Sequence, residues 1–248
     1  MAADELKTGI VECVKKLVEH SAHPEWYREP VIGYADTEDP LYDQLDEIIG
    51  NPQFKPEDML TGARSVVVVF IPNSEVVFED MKNSVLTSSV YSESYMLTNS
   101  ILDEVSEQII RLLEEKGYHG VSDPPTENFD HVTKIGKWSH KSNAVIAGIG
   151  TIGLNHLLIT EKGCLGRLTS VVTDAPFSAS PKPDHPYCLY YLKGRCRACI
   201  RNCPSGALCS DGRIDKRRCD SYLEGKNCSD MQQGCPKCQT VPCALRGF

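Results

Sequence analysis

An α/β domain over residues 1–175, followed by a small cysteine-built domain over residues 176–248, is the architecture that this sequence predicts, and three observations predict it. Ten of the twelve cysteines fall between Cys188 and Cys243. Ahead of them, helix-spaced apolar residues alternate with short β-branched runs. Between the two regions, Pro176, Pro181, Pro183 and Pro186 punctuate a polar stretch that suits neither a helix nor a central strand. The length allows one or two domains of ordinary size.

The elements follow in order. Leu6, Ile10, Val14, Leu17 and Val18 recur at helical spacing and predict a helix over residues 4–20, with Cys13 packed near it as a small hydrophobe. Residues 21–62 are rich in Pro, Asp, Glu and Tyr and read as a wrapping loop, with a short helix around Leu41 to Ile49. The β-branched run from Ser65 to Pro72 reads as a strand buried on both faces of an α/β sheet. Ile101, Val105, Ile109, Leu112 and Leu113 mark a long helix from Met96 to Lys116, closed by Gly117. A helix from Lys141 to Ala147 runs into the glycine-rich turn Gly148-Ile149-Gly150-Thr151-Ile152-Gly153, and strands follow at His156 to Thr160 and Leu168 to Thr173.

The formal net charge of -8 argues against nucleic acid as a partner, because a phosphate backbone is bound by clustered positive charge. Met1 to Thr8 carries mixed charge, and Glu12, Lys15 and Lys16 interrupt the first apolar stretch, so no signal peptide is expected. The longest apolar run, Val66 to Ile71, is too short to span a bilayer. A cytoplasmic protein with no membrane partner is the expectation. A disulfide framework would need an oxidising compartment and usually a small secreted domain.

The spacing Cys196-x2-Cys199-x3-Cys203-Pro204 is half of a bacterial-type ferredoxin motif, in which close thiolates hold one iron-sulfur cube and the Cys before Pro reaches another. Cys188, Cys196, Cys199 and Cys243 would hold one 4Fe-4S cluster. Cys203, Cys219, Cys235 and Cys238 would hold the second. Pro204, at a first helical position, fixes the chain's exit without costing a hydrogen bond. A zinc site on Cys196/Cys199 and Cys235/Cys238 is the alternative, but it strands several cysteines. Cys209 and Cys228 stay open as alternative ligands, and Cys13 and Cys164 as buried thiols. Lys193, Arg195, Arg197, Arg201, Arg213, Lys216, Arg217 and Arg218 gather around the ligands, where cations ease cluster reduction, form a solvated face or dock an acidic donor.

Three stretches carry a family resemblance. Ala147 to Asn155 with Leu157 to Thr160 is the first, Gly163-Cys164 with Leu168 to Asp174 the second. The third runs from Pro186-Tyr187-Cys188 through Gly194 to Ala207, Ile214 to Cys219 with Ser221 to Leu223, and Gly234 to Gln239. Together they resemble the epoxyqueuosine reductases and their relatives, the reductive dehalogenases, which are cobalamin-dependent iron-sulfur reductases. The resemblance covers roughly residues 60–243. It implies a nitroreductase-like cobalamin-binding sheet with helices, a ferredoxin-like domain with two 4Fe-4S clusters, and a corrin beside Gly148, Gly150, Gly153 and Asn155. The glycine motif follows a helix and precedes a strand, so it does not suit a dinucleotide.

Departures from the family pattern are specific. Seven residues separate Cys188 from Cys196 where the family has two, and four separate Cys238 from Cys243 where it commonly has three. Leu154 stands where the family has Lys, and Thr151 where it has an aromatic. Lys134 to His140 lacks the family's carboxylate proton donor. His140 and Asp130 are the candidate catalytic replacements, with Asp123 and His131 beside them. The chain ends at Phe248, without the tRNA enzymes' helical-repeat domain, and with the net charge this argues against queuosine maturation. The expected function is an iron-sulfur oxidoreductase whose clusters reduce a bound cobalamin, which then reduces a small substrate. The alternative is an electron-transfer protein serving a corrinoid protein. The expected partners are an external low-potential electron donor and a small-molecule substrate or corrinoid protein.

Overall fold

The computed structural model describes residues 2–84, 88–123, 129–130, 135–224 and 235–248. Its elements are α1 (Ala2–Glu19), β1 (Val31–Asp36), α2 (Leu45–Ile49), α3 (Pro56–Met59), β2 (Ser65–Pro72), α4 (Glu75–Asn83), α5 (Ser89–Glu115), β3 (Gly120–Ser122), β4 (Phe129–Asp130), β5 (Ile135–Gly136), α6 (His140–Ile146), β6 (Gly150–Ile152), β7 (Leu158–Thr160), β8 (Gly166–Thr173), α7 (Leu189–Lys193), α8 (Ala198–Asn202) and α9 (Lys216–Glu224). None of the described helices is long and apolar enough to cross a membrane.

The main sheet has four strands in the order β1-β2-β8-β3, every neighbouring pair antiparallel. All eight residues of β2 are buried, because helices cover both faces of the sheet. Val67, Val69 and Ile71 point towards α1 and α5, where Ile10, Val14, Leu102, Val105 and Ile109 close the core. Val66, Val68 and Phe70, on the other face, meet Ala144 and Ile146 of α6 with Trp138 and Tyr42. The strand's period of two thus feeds two cores at once. Helix α5 is 27 residues long, and the Ser88 hydroxyl caps it by accepting from the Tyr91 amide at 3.1 Å.

One expectation holds and one changes. The sheet is a mixed α/β arrangement with antiparallel pairing, so burial of β2 on both faces reflects helices on either side and not parallel neighbours. The stretch read as a wrapping loop contains β1, which pairs along its whole length with β2, from Val31 opposite Phe70 to Asp36 opposite Ser65. Gly33 weakens the strand signal, yet it is required there. A Cβ on it would lie 2.2 Å from Ile149 Cγ2 and 2.6 Å from the Ala147 carbonyl.

The proline-rich segment does not separate two independent cores. Leu154, Ile159 and Cys164 share a third apolar cluster with Cys188, Cys199, Leu208 and Val241. The final residues return to the first region, with Leu165 N donating to Ala244 O at 2.9 Å.

Two glycine substitutions test the packing. Gly148 has φ +72°, and a Cβ on it would sit 2.4 Å from the Pro181 carbonyl, so Gly148→Ala is expected to cost about 1–3 kcal/mol. Gly9, inside α1, has nothing within 4 Å of that position, and Gly9→Ala is expected to stabilise by about 0.5–1 kcal/mol. Urea unfolding midpoints measure both, and equal effects would refute the packing assigned to Gly148.

Candidate iron-sulfur site

Four of the eight expected ligands meet around one recess. Cys188, Cys196, Cys199 and Cys243 line about 320 Å³ of non-atom space, part of it open to solvent, together with Leu154, Ile159 and Val241. Cys188 precedes α7 and Cys199 lies in α8, while Cys243 arrives from the last segment of the chain. Cys196 takes φ +74°, a left-handed conformation that few non-glycine residues adopt and that places strain at this position. Burial first, then the neighbouring Cys243, Cys188 and Cys196, push the Cys199 thiol up to about 11 against a hydrogen bond from the Ile200 backbone.

The other four also sense one another. Burial pushes Cys238 up to about 12, and Cys235, Cys219 and Cys203 each add to the rise. Cys219 is raised by burial and then by Cys203 and Cys235. At Cys203 burial is outweighed by hydrogen bonds from Ser205 and from the Leu208, Ala207 and Ser205 backbone, so its thiol is lowered. Four converging thiolates oppose each other's ionisation unless a metal centre takes up their charge, as ligated thiols require.

The zinc alternative loses its geometry here. Cys196 and Cys199 face one quartet and Cys235 and Cys238 the other, so the two pairs do not form one tetrahedral site. Among the described residues, no three His, Cys, Asp or Glu side chains stand close enough to share a single ion. No disulfide links any of the described cysteines. Cys209 joins neither quartet, its sulfur lying 3.8 Å from the Ala207 carbonyl, and Cys228 lies outside the described residues.

Gly148, Gly150 and Gly153 each turn the side where a Cβ would stand towards protein. A Cβ on Gly150 would stand 2.5 Å from Ile159 O, one on Gly153 2.5 Å from Ile159 Cδ1, and Gly148 faces Pro181. The space freed by these glycines is filled by the protein itself. Asn155 is buried, and its amide nitrogen reaches Cys238 O at 3.1 Å and Cys164 Sγ at 3.7 Å. It serves the cysteine region.

Of the catalytic candidates, Asp130 lies in β4 with its side chain outside the described residues, as is His131. His140 opens α6 and is buried, with Nδ1 at 2.7 Å from Ser170 Oγ. Sequence reasoning missed the polar groups around it. Arg167, at the start of β8, lies over the Tyr95 ring at 3.8 Å, donates to Asn99 and acts electrostatically on both His140 and Tyr91. Tyr91 is buried at the start of α5, and burial raises its pKa, with Cys238 and Cys235 near enough to contribute. A lone Arg in a strand and a Tyr in a helix carry no motif, so no local signal marked them.

No family model matches the chain. It is 30% identical over 176 residues to the epoxyqueuosine reductase of Cyclobacterium marinum, covering 68% of this chain and 50% of that protein. The chain spans about a third to a half of the length of the curated relatives it matches. Among solved structures, an epoxyqueuosine reductase with an epoxyqueuosine-modified tRNA-Tyr stem loop superposes with a TM-score of 0.64 at 22% identity, over 99% of this chain and 67% of that one. A reductive dehalogenase described for B12-dependent dehalogenation gives 0.60 at 17% identity, over 93% and 31%. These structural likenesses establish a shared mixed α/β fold.

The argument from net charge against nucleic acid is overturned by the first of these structures, whose protein holds a tRNA stem loop. The physical reason is segregation of charge. Residues 176–248 contain twelve of the 26 Lys and Arg but six of the 34 Asp and Glu, a local balance of +6. Residues 1–175 carry the remaining 14 cations and 28 anions, a balance of -14, so the total of -8 hides a basic region. With the glycine turn, the cysteine order and these relatives in agreement, the chain belongs to the family of the epoxyqueuosine reductases.

Proposed function

We propose that this chain is an iron-sulfur reductase holding two 4Fe-4S clusters, one on Cys188, Cys196, Cys199 and Cys243 and the other on Cys203, Cys219, Cys235 and Cys238. The observation that carries the reading is the convergence of Cys188, Cys196, Cys199 and Cys243 on one recess, with Cys203, Cys219, Cys235 and Cys238 close enough to act on one another's charge. When bound, such clusters supply one-electron carriage. The chain's own part is to bury the ligands, fix their spacing through α7 and α8, and hold the polar cluster of Tyr91, Arg167 and His140, in which Tyr91 senses Cys238 and Cys235. A B12-dependent dehalogenase among the structural neighbours supports a corrin as acceptor in this family. Gly148, Gly150, Gly153 and Asn155 are the residues that would stand beside it. The tRNA stem loop bound to a structural neighbour, together with the basic balance of residues 176–248, supports a nucleic-acid substrate.

His140 is the titratable imidazole of that cluster. Trp138 Nε1 can only donate, and it donates to Ser170 Oγ at 2.9 Å. The Ser170 hydroxyl keeps a proton and a second lone pair, so it pairs with His140 Nδ1 in either tautomer. Nε2 is buried and makes no hydrogen bond of normal geometry, although the Asp123 backbone acts on the ring. Burial first, and the Arg167 charge second, hold His140 down at about 4, so it is a neutral N–H donor at neutral pH.

Anaerobic reconstitution followed by iron, sulfide, zinc and cobalt analysis of one sample tests the cluster assignment. About eight iron and eight sulfide per chain are expected, with roughly half lost in Cys199→Ala or in Cys238→Ala. Zinc without acid-labile sulfide would sink it.

A second expectation concerns pH. The unfolded chain binds a proton at His140 near 6.5 and the folded chain only near 4, so the contribution to stability is complete above pH 6.5 and is lost as pH falls towards 4. Its size is on the order of 1–3 kcal/mol. In His140→Asn the fall in urea midpoint between pH 6.5 and 4.5 should be shallower than in the unsubstituted protein. Identical slopes would show that His140 is not buried neutral.

A further inference from the structure

We propose that Cys164, which belongs to neither quartet, tunes the cluster on Cys188, Cys196, Cys199 and Cys243 by donating its S–H to the Cys243 sulfur. The inference rests on the two-cluster reading. Cys164 is 4% exposed and sits between β7 and β8, behind Cys243, which itself lines the recess. Its backbone N–H donates to Cys243 O at 2.9 Å, and the two side chains pack in one apolar cluster, which sets the thiols side by side.

The direction of the proposed bond follows from Asn155. The Asn155 side-chain oxygen accepts from the Leu157 amide at 3.3 Å, which orients the group so that its nitrogen faces the cysteines. That nitrogen is a donor only, and it reaches Cys164 Sγ at 3.7 Å and Cys238 O at 3.1 Å. With its lone pairs addressed by Asn155, Cys164 has its own proton available for Cys243. Asn155 also links this pair to the backbone of a ligand in the second quartet.

One-electron reduction adds a negative charge to a cluster and its sulfurs, with no bond made or broken and the Cys164 proton staying on its own sulfur. A hydrogen bond to a ligand sulfur stabilises that added charge and raises the potential. Cys164 is a positioning residue in this sense, acting through Cys243.

The test is a dithionite titration, followed by electron paramagnetic resonance, of the anaerobically reconstituted full chain and its Cys164→Ala and Cys164→Ser variants. In Cys164→Ala both clusters keep their iron and sulfide, and one midpoint falls. At its former midpoint the ratio of reduced to oxidised cluster drops about tenfold, ~59 mV for one electron. The other midpoint stays in place, and Cys164→Ser, which keeps a donor, moves the first back towards its original value. Unchanged midpoints in Cys164→Ala overturn the proposal, and so does loss of about half the iron, which would make Cys164 a ligand. Absence of cluster iron and sulfide from the unsubstituted chain would instead bring down the two-cluster reading itself.

Discussion

The return of the C-terminal segment to the β7–β8 turn is the constraint on which the cysteine architecture depends. Cys243 can meet Cys188, Cys196 and Cys199 only if the last residues are held against the α/β region. Backbone pairs do this at Cys164 N to Cys243 O, Leu165 N to Ala244 O and Gly247 N to Glu161 O. Gly163, with φ +92°, lets the two chains approach, since a Cβ on it would lie 2.2 Å from Ala244 O. Arg28 locks the seam from outside, its guanidinium donating to the carbonyls of Asn73, Lys162 and Leu245 at 2.8, 2.6 and 2.8 Å. Hydrogen bonds from a charged donor contribute about 1.5–3 kcal/mol each where they replace no equivalent water contact. The cysteine-rich region is therefore built on the sheet and not merely attached to it.

That seam also explains what was legible in the sequence and what was not. Strand β2 was readable to the residue because eight consecutive buried positions leave an unbroken apolar run, and α1 and α5 because their apolar faces repeat at helical spacing. Strand β1 was hidden because its pairing comes from β2 and its packing from Gly33 against Ala147 and Ile149, neither of which a local pattern records. The proline-rich segment was a sound reason to expect a chain break. It could not reveal that Cys243 and Ala244 cross back over it. The cysteine spacing suggested two groups before any fold was in view, whereas Tyr91, Arg167 and Ser170 come together only through the fold.

Charge was misread for a related reason. A net value describes the whole chain, while binding responds to the local field, which falls off within about 8–10 Å at ordinary salt. Exposed Lys193, Arg195, Arg197, Arg201, Arg217 and Arg218 lie along the same short segments that carry the ligands, and the acidic residues are concentrated in the first region. The same cations suit an anionic partner and favour the more negative, reduced state of a cluster. One feature of composition would thus bear on both recognition and potential under the proposed function.

The glycine turn shows how one motif can serve different physical ends. In a site that receives a cofactor, missing side chains leave room for the ligand. In this chain Gly148, Gly150 and Gly153 leave room for Pro181, Leu158 and Ile159, which brings the linker to the 176–248 region and β7 into direct contact with the turn. Tyr187 N then reaches Thr151 Oγ1 at 2.9 Å, one residue before Cys188. Thr151 occupies the place of the family's aromatic, and its hydroxyl holds the approach to the first ligand across the long Cys188 to Cys196 interval. The close turn and the widened interval are in this sense coupled, because a chain that inserts residues between two ligands must anchor the first of them elsewhere.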